Sequence, residues 1–230
     1  MIGKRIISGC KMTRAIVLLS GGMDSLVTAA IAAKETTELY LLHFSYGQRT
    51  QDKERWCFEQ LARHYRAKEA RVVDYRWLAE IGGSALTDAR LSLDETHKIP
   101  NTYVPFRNAT MLCAATAWAE VIAARKIYIG AVEEDSSGYP DCRESFFDAM
   151  QNVIHTGTVD GDIRVVTPVL HKSKKQIAHL GRELGAPFEL SWSCYFSQDE
   201  ACGECPSCKL RLSAFQDAGF PDPIPYRRQG

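Results

Sequence analysis

The chain has 230 residues, with 28 basic and 28 acidic side chains, 45% hydrophobic and 24% charged content. That balance excludes a basic nucleic-acid arm, an acidic solvating tail and wholesale disorder. No apolar run approaches the roughly 20 residues that span a bilayer, and residues 1–11 lack a signal peptide's apolar stretch. A cytoplasmic protein with no membrane partner is expected.

Residues 1–11 read as a flexible extension, with Met12 a possible original start. Residues 14–19 form a short apolar run that ends at Ser20-Gly21-Gly22, the pattern of a fully buried strand. From Asp24 to Lys34, Leu26, Ala29, Ala30 and Ala33 recur at helical spacing. A second strand is expected over Glu38–Phe44, then a helix over Thr50–Tyr65 with Cys57, Leu61 and Tyr65 on one face, and a third strand over Arg71–Asp74. Gly82-Gly83 and residues 93–98 read as loop. Asn108–Arg125 is alanine-rich, with Met111, Ala115, Trp118 and Ile122 on one face of a buried helix. Ile127–Val132 is expected as a fourth strand, Arg143–His155 as a helix and Ile163–Thr167 as a fifth strand. The helix over Ser173–Leu184 opens on a capping box, Ser173-Lys174-Lys175-Gln176, and Gly185-Ala186-Pro187 stops it. Short apolar strands alternating with helices predict a doubly wound, mainly parallel five-stranded α/β sheet. Such sheets bind ligands at the carboxyl ends of their strands. Residues 1–190 are expected to form this nucleotide-binding domain, and residues 191–230 a small C-terminal segment.

Of the eight cysteines, Cys10, Cys57, Cys113 and Cys142 are scattered, whereas Cys194, Cys202, Cys205 and Cys208 cluster. A secreted disulfide framework would be spread through a short chain behind an export signal. The cluster instead offers four thiolates to a structural zinc ion with no open position for water. An iron–sulfur cluster is the rival, but the usual fourth cysteine three residues on is missing, since Arg211 and Leu212 follow. The scattered four read as small buried hydrophobes, with Cys142 held apart because it lies in a second motif.

Ser20-Gly21-Gly22-Met23-Asp24-Ser25 sits where the first strand turns into the first helix. Two glycines admit a close anion, the helix start offers free N–H groups, and the serines add hydroxyls. Asp24 beside a phosphate makes sense with Mg²⁺ or as a cap. This is neither a Walker A loop nor G-x-G-x-x-G. Lys174, in the first turn of its helix, opposes the helix dipole and points to an anion nearby. Arg107 carries a guanidinium fork suited to carboxylate or phosphate, and Asn108 is a competent N-cap. Tyr139-Pro140-Asp141-Cys142-Arg143 reads locally as a turn, which needs neither Cys142 nor Arg143. The six histidines form no ligand or triad pattern.

Ser-Gly-Gly-x-Asp-Ser resembles the signature of the PP-loop ATP pyrophosphatases, which split ATP to AMP and pyrophosphate while activating a carbonyl. The blocks at residues 44–49 (FSYGQR), 104–108 (VPFRN) and 137–143 (SGYPDCR), with the four-cysteine cluster, narrow the resemblance to the branch that makes the cyano-deazapurine of queuosine biosynthesis. The resemblance implies a homodimeric, ATP-dependent carbon–nitrogen ligase that takes 7-carboxy-7-deazaguanine and ammonia to a nitrile, with Mg²⁺ and structural Zn²⁺. It assigns Ser20, Gly21, Gly22, Met23, Asp24, Ser25, Leu26, Ser45, Tyr46 and Gln48 to ATP. Gln48 offers donor and acceptor to an adenine edge, and Tyr46 is alternatively a core aromatic. It assigns Arg107, Asn108, Tyr139, Asp141 and Arg143 to the deazapurine, and Asp24, Lys174, Arg107 and Arg143 to catalysis. Phe106 and Ser45 depart from the residues usual there, and Phe106 is expected to narrow or reshape the pocket that Arg107 and Asn108 line. Another amidating ligase, a tRNA-thiolating enzyme and a zinc module that binds nucleic acid stay open as alternatives; the neutral charge makes nucleic acid an unexpected partner.

Overall fold

The computed structural model describes residues 12–94, 99–133 and 138–227. The extension at residues 1–11, Cys10, Ser137 and most of the expected loop at 93–98 lie outside them.

Five strands form one sheet: β1 (Arg14–Leu18), β2 (Glu38–Ser45), β3 (Glu69–Asp74), β4 (Lys126–Ile129) and β5 (Arg164–Val166). All neighbours pair in parallel, in the order β3-β2-β1-β4-β5. Alternation along β1 divides the core. Ile16 and Leu18 join Tyr40, Leu42 and Phe44 on one face, and Ala15, Val17 and Leu19 join Leu39 and Leu41 on the other. The first face is covered by α4 (Arg107–Ile122) and α5 (Glu144–Gly157), which contribute Leu112, Ala115, Phe147 and Met150. The second lies under α1 (Met23–Glu35), α2 (Gln51–His64), α6 (Lys174–Leu184) and α7 (Pro206–Ala218). A one-turn helix, α3 (Trp77–Ile81), buries Leu78 against the first face. Both faces being covered is why β1 and β2 read as continuous apolar runs.

The expected sheet and its helices are present, with changes at the ends. β4 stops at Ile129 because the next residue, Gly130, must let the backbone of α1 approach. A Cβ there would lie 2.8 Å from the Ser25 amide nitrogen and 2.9 Å from the Asp24 carbonyl. α4 ends at Ile122, where Ala123 turns left-handed, and not at Arg125. Asn108 is not its N-cap: Phe106 holds that position with φ 57°, and the Asn108 amide is instead capped by a carboxylate from another loop.

Two elements were not anticipated, α3 and α7. α7 begins inside the cysteine cluster, with Cys205 as N-cap accepting from the Cys208 amide and Pro206 in the first turn. Its Ala214, Phe215 and Ala218 enter the second face of the main core, so α7 packs against the α/β body, while Trp192, Cys194, Ala201, Cys205, Cys208 and Ile224 form a small cluster of their own with Cys57. Cys113 also corrects the sequence reading. It is exposed on α4, while Cys57 is buried as expected and Cys142, held apart above, is buried too.

Candidate active site

β1 and β4 are adjacent, yet the chain leaves them in opposite directions across the sheet. The crevice at their carboxyl ends is the switch point where doubly wound sheets bind ligands. A cavity of about 350 Å³ lies there, its floor made by Leu18, Ile129 and Gly130.

The Ser20–Ser25 loop forms one wall. Gly21 has φ +93°, and a Cβ on it would come within 2.9 Å of the Glu54 carbonyl on α2, so this turn requires glycine twice over. The Gly22 amide donates to Ser20 Oγ, which shares a hydrogen bond with Ser25 Oγ at 3.0 Å. No side chain caps α1, and Gly22, Met23, Asp24 and Ser25 all face the cavity, leaving the helix start to an anion. Across 150 positions of sequence, Lys174 at the start of α6 donates to Asp24 Oδ2 at 2.9 Å. The capping box that places Lys174 forms as expected, with both reciprocal bonds present. Asp24 Oδ1 is buried with no partner. An unsatisfied carboxylate oxygen beside the uncapped start of α1 fits a divalent cation.

The opposite wall carries Tyr46, Arg107, Asn108, Tyr139 and Cys142. Arg107 Nη1 donates to the Tyr46 hydroxyl at 2.8 Å, and its guanidinium lies 5.3 Å from the Tyr46 ring centroid. Tyr46 thus satisfies both sequence readings: it is buried in the core and it lines the cavity. Burial, the largest influence, pushes its phenol up. The tip of the residue 139–143 turn is latched to α4, because the Asn108 amide donates to Asp141 Oδ2 and the Asn108 side chain to the Asp141 carbonyl and Cys142 Sγ. Tyr139 shares its hydroxyl hydrogen bond with Thr102.

Gln48 lines the cavity, but its amide is engaged. Oε1 accepts from the Tyr46 amide, and Nε2 donates to the Phe44 carbonyl and to Glu54. It braces the loop after β2. Glu54, on α2, accepts at its two oxygens from Thr50 (3.0 Å) and Gln48 (3.1 Å). Burial pushes its carboxyl up, against the hydrogen bonds from Gln48 and Thr50 and the charge of Arg107.

Around this one cavity the fold therefore collects Ser20, Gly22, Met23, Asp24, Ser25, Tyr46, Gln48, Arg107, Asn108, Tyr139 and Lys174. Five expected residues are not on its wall. Gly21 supports the loop from behind, Leu26 is wholly buried in the core, Ser45 is buried at the end of β2, Asp141 holds the latch, and Arg143 is exposed as N-cap of α5. Phe106 does not narrow the pocket. Its ring is 61% exposed and packs edge-on to Phe146 outside the cavity. Glu54, Trp192 and Tyr195, which do line it, were not singled out for it in the sequence. The one signal for Glu54 is its place in the first turn of the helix that follows Gln48.

Next to the Ser20–Ser25 loop stand the four clustered cysteines. None is in a disulfide, and their sulfurs lie within 4.8 Å of one another, Cys202 and Cys208 at 3.8 Å. A tetrahedron with Zn–S near 2.3 Å has edges of about 3.8 Å, so the set fits a zinc ion with all four positions filled. Backbone amides of Phe196, Cys202, Cys205 and Cys208 donate to these sulfurs, which favours thiolates. The segment joins the loop directly, through the Trp192 amide donating to the Gly21 carbonyl at 2.9 Å.

A family model described as queuosine biosynthesis protein QueC matches residues 14–219. A 7-cyano-7-deazaguanine synthase of Acidobacterium capsulatum is 52% identical over 224 residues, covering 94% of this chain and 97% of that one. The enzyme of the same name from Chlorobium phaeobacteroides is 52% identical over 221 residues, covering 94% and 98%. Among solved structures, a 4-thiouridine synthetase–RNA complex with bound ATP matches with a TM-score of 0.50 at 18% identity, over 93% of this chain and 47% of that one. That last likeness concerns the fold.

Proposed function

Because the chain belongs to the QueC family, we propose that it makes 7-cyano-7-deazaguanine from 7-carboxy-7-deazaguanine and ammonia, using ATP. A single observation carries the reading: the phosphate loop, Lys174 and Arg107 line one cavity at the switch point of the sheet.

A carboxylate resists attack by ammonia until its oxygen becomes a leaving group. ATP supplies that group as AMP, forming an acyl-adenylate and releasing pyrophosphate. The pyrophosphate end of ATP lies on the Ser20–Ser25 wall, where the free helix start and Lys174 oppose its charge. Asp24 would hold a Mg²⁺ ion through Oδ1, and that ion would neutralise the departing pyrophosphate. Arg107 holds the substrate carboxylate by its guanidinium fork, and the Tyr46 hydroxyl fixes the orientation of that fork. Asn108 and Tyr139 flank the base, and Asp141 sets them by latching their loop to α4. Ammonia displaces AMP to give an amide. A second ATP activates the amide oxygen, and its loss as AMP leaves the nitrile. The fold supplies position and charge stabilisation, and no covalent enzyme intermediate is needed.

The zinc held by Cys194, Cys202, Cys205 and Cys208 is structural in this reading. Among the described residues no helix is long and apolar enough to cross a membrane, and the four thiols suit a reducing cytoplasm. The homodimer implied by the family completes the proposal, and its test is the mass in solution. For the reaction, zinc-loaded protein incubated with ATP, ammonium and 7-carboxy-7-deazaguanine is analysed by mass spectrometry. A nitrile product with two AMP formed per turnover is expected. An amide alone, or no product, overturns the reading.

A further inference from the structure

Ammonia carries three hydrogens and a nitrile nitrogen none, so three protons must leave one nitrogen between substrate and product. The reaction proposed above therefore needs a proton acceptor beside the reacting carbon. We propose that Glu54 is that acceptor, on the strength of its place in the cavity wall, its two-point fixation and the lack of a rival. The inference rests on the nitrile-forming reading.

Among the described residues that line the cavity there is no histidine, and the carboxylates are Asp24 and Glu54. Asp24 is ion-paired with Lys174 at the phosphate end. The Tyr46 hydroxyl accepts from Arg107, the Tyr139 hydroxyl is bonded to Thr102, and Cys142 Sγ accepts from Asn108. Glu54 stands between the two functional walls: its backbone carbonyl packs on Gly21 of the phosphate loop, while Gln48 ties its side chain to the Tyr46 end. Thr50 and Gln48 fix the carboxylate by one hydrogen bond to each oxygen, leaving each a free lone pair. No lysine or arginine is ion-paired with it among the described residues. The charged and titratable groups that face it are Arg107 from α4, Tyr46 after β2 and Cys57 from its own helix. Burial holds its carboxyl above the ordinary range, nearer the pH at which a base both takes and returns a proton.

In the first step the ammonia lone pair forms the C–N bond, one N–H proton passes to a Glu54 oxygen, and the C–O bond to AMP breaks with its electron pair leaving on the phosphate. The carboxylic acid returns its proton to water. When the amide oxygen has displaced pyrophosphate from the second ATP, Glu54 takes the next proton and leaves a neutral imidate. Once that proton too has passed to water, Glu54 takes the last as the N–H electron pair becomes the third C–N bond and AMP departs.

The test separates adenylation from nitrogen chemistry. Pyrophosphate–ATP exchange with 7-carboxy-7-deazaguanine and no ammonium reads adenylation alone, and nitrile formation reads the whole. Glu54→Gln keeps an acceptor for Thr50 or Gln48. It should exchange within about threefold of the native protein yet form nitrile about 100-fold slower or worse. Nitrile at near-native rate, or exchange lost in parallel with nitrile, overturns the proposal. A second measurement uses the native protein only: with free ammonia, not total ammonium, held saturating at every pH, nitrile formation should fall on the acid side while exchange stays flat. A shared acid limb overturns it. Native protein that exchanges but forms no nitrile counts against the reaction reading itself.

Discussion

Asp222→Asn should be among the most damaging single changes in the chain, although it touches neither the cavity nor the cysteines. Arg211 is 2% exposed, and Asp222 binds its Nε and Nη2 in a fork at 2.7 and 2.9 Å. The guanidinium also donates to Ser191 Oγ at 2.8 Å and to the Phe188 carbonyl at 3.2 Å, and Tyr226 donates to Asp222 Oδ2 at 2.7 Å. An amide fills the same volume but leaves the guanidinium buried without a counter-charge. Breaking one side of a buried pair costs about 3–5 kcal/mol. For a chain of this size that is a fall in Tm of roughly 10 °C. Urea unfolding of zinc-loaded protein measures it, with an unchanged m-value required for the comparison. Arg211→Met should cost a comparable amount, and the double variant Arg211→Met/Asp222→Leu much less than the sum, since the penalty lies in the orphaned charge. A loss below about 1 kcal/mol for Asp222→Asn would refute the reasoning, because a surface pair would cost as little.

Three further outcomes follow from local features. His43 is 1% exposed, donates through Nδ1 to the Leu19 carbonyl, and leaves Nε2 buried without a partner; burial depresses its pKa. The folded state then binds its proton later than the unfolded chain, so this stability is whole above about pH 6.5 and declines by up to about 1.4 kcal/mol per unit as pH falls below it. His43→Gln should flatten that decline in denaturation midpoints between pH 7 and 5. Cys205→Ser should lower bound zinc below one ion per chain, by atomic absorption, and lower Tm with it; zinc loss with Tm unchanged would remove the structural role. Phe106→Gly should raise Tm by a few degrees, because left-handed backbone costs a side chain about 1–2 kcal/mol, and the exposed ring contributes little.

Local chemistry makes much of this molecule legible in its sequence. The βα junction at Ser20–Ser25 announced itself by a buried run, two glycines and a helix start. The capping box at Ser173 placed Lys174, whose conflict with the helix dipole pointed to an anion, and the fold sets it against Asp24. What remained hidden depends on distant pairings. Asn108 looked like a cap because its type and position suited one, but a carboxylate 33 residues away caps its amide instead. Phe106 could not be read as outward-pointing without its positive φ. Arg211 carries the most surface-prone of side chains, and only Asp222 and the Phe188–Ser191 turn make it a core residue.

That buried pair also ties the four-cysteine segment to the Ser20–Ser25 loop. Arg211 holds the Phe188–Ser191 turn, and the next residue, Trp192, donates its amide to the Gly21 carbonyl. The Trp192 ring packs with Cys194, Cys205 and Cys208, and Lys53 of α2 lies 4.6 Å from the centroids of both Trp192 and Trp56. Gly21 is therefore fixed from one side by α2, through the close approach of the Glu54 carbonyl, and from the other by the cysteine segment. A turn at φ +93° gains from being over-determined in this way, and more so if, as proposed, its amides converge on a phosphate. Loss of zinc should thus raise the KM for ATP in protein that is still folded, well before it changes the affinity of the Arg107 end for a carboxylate.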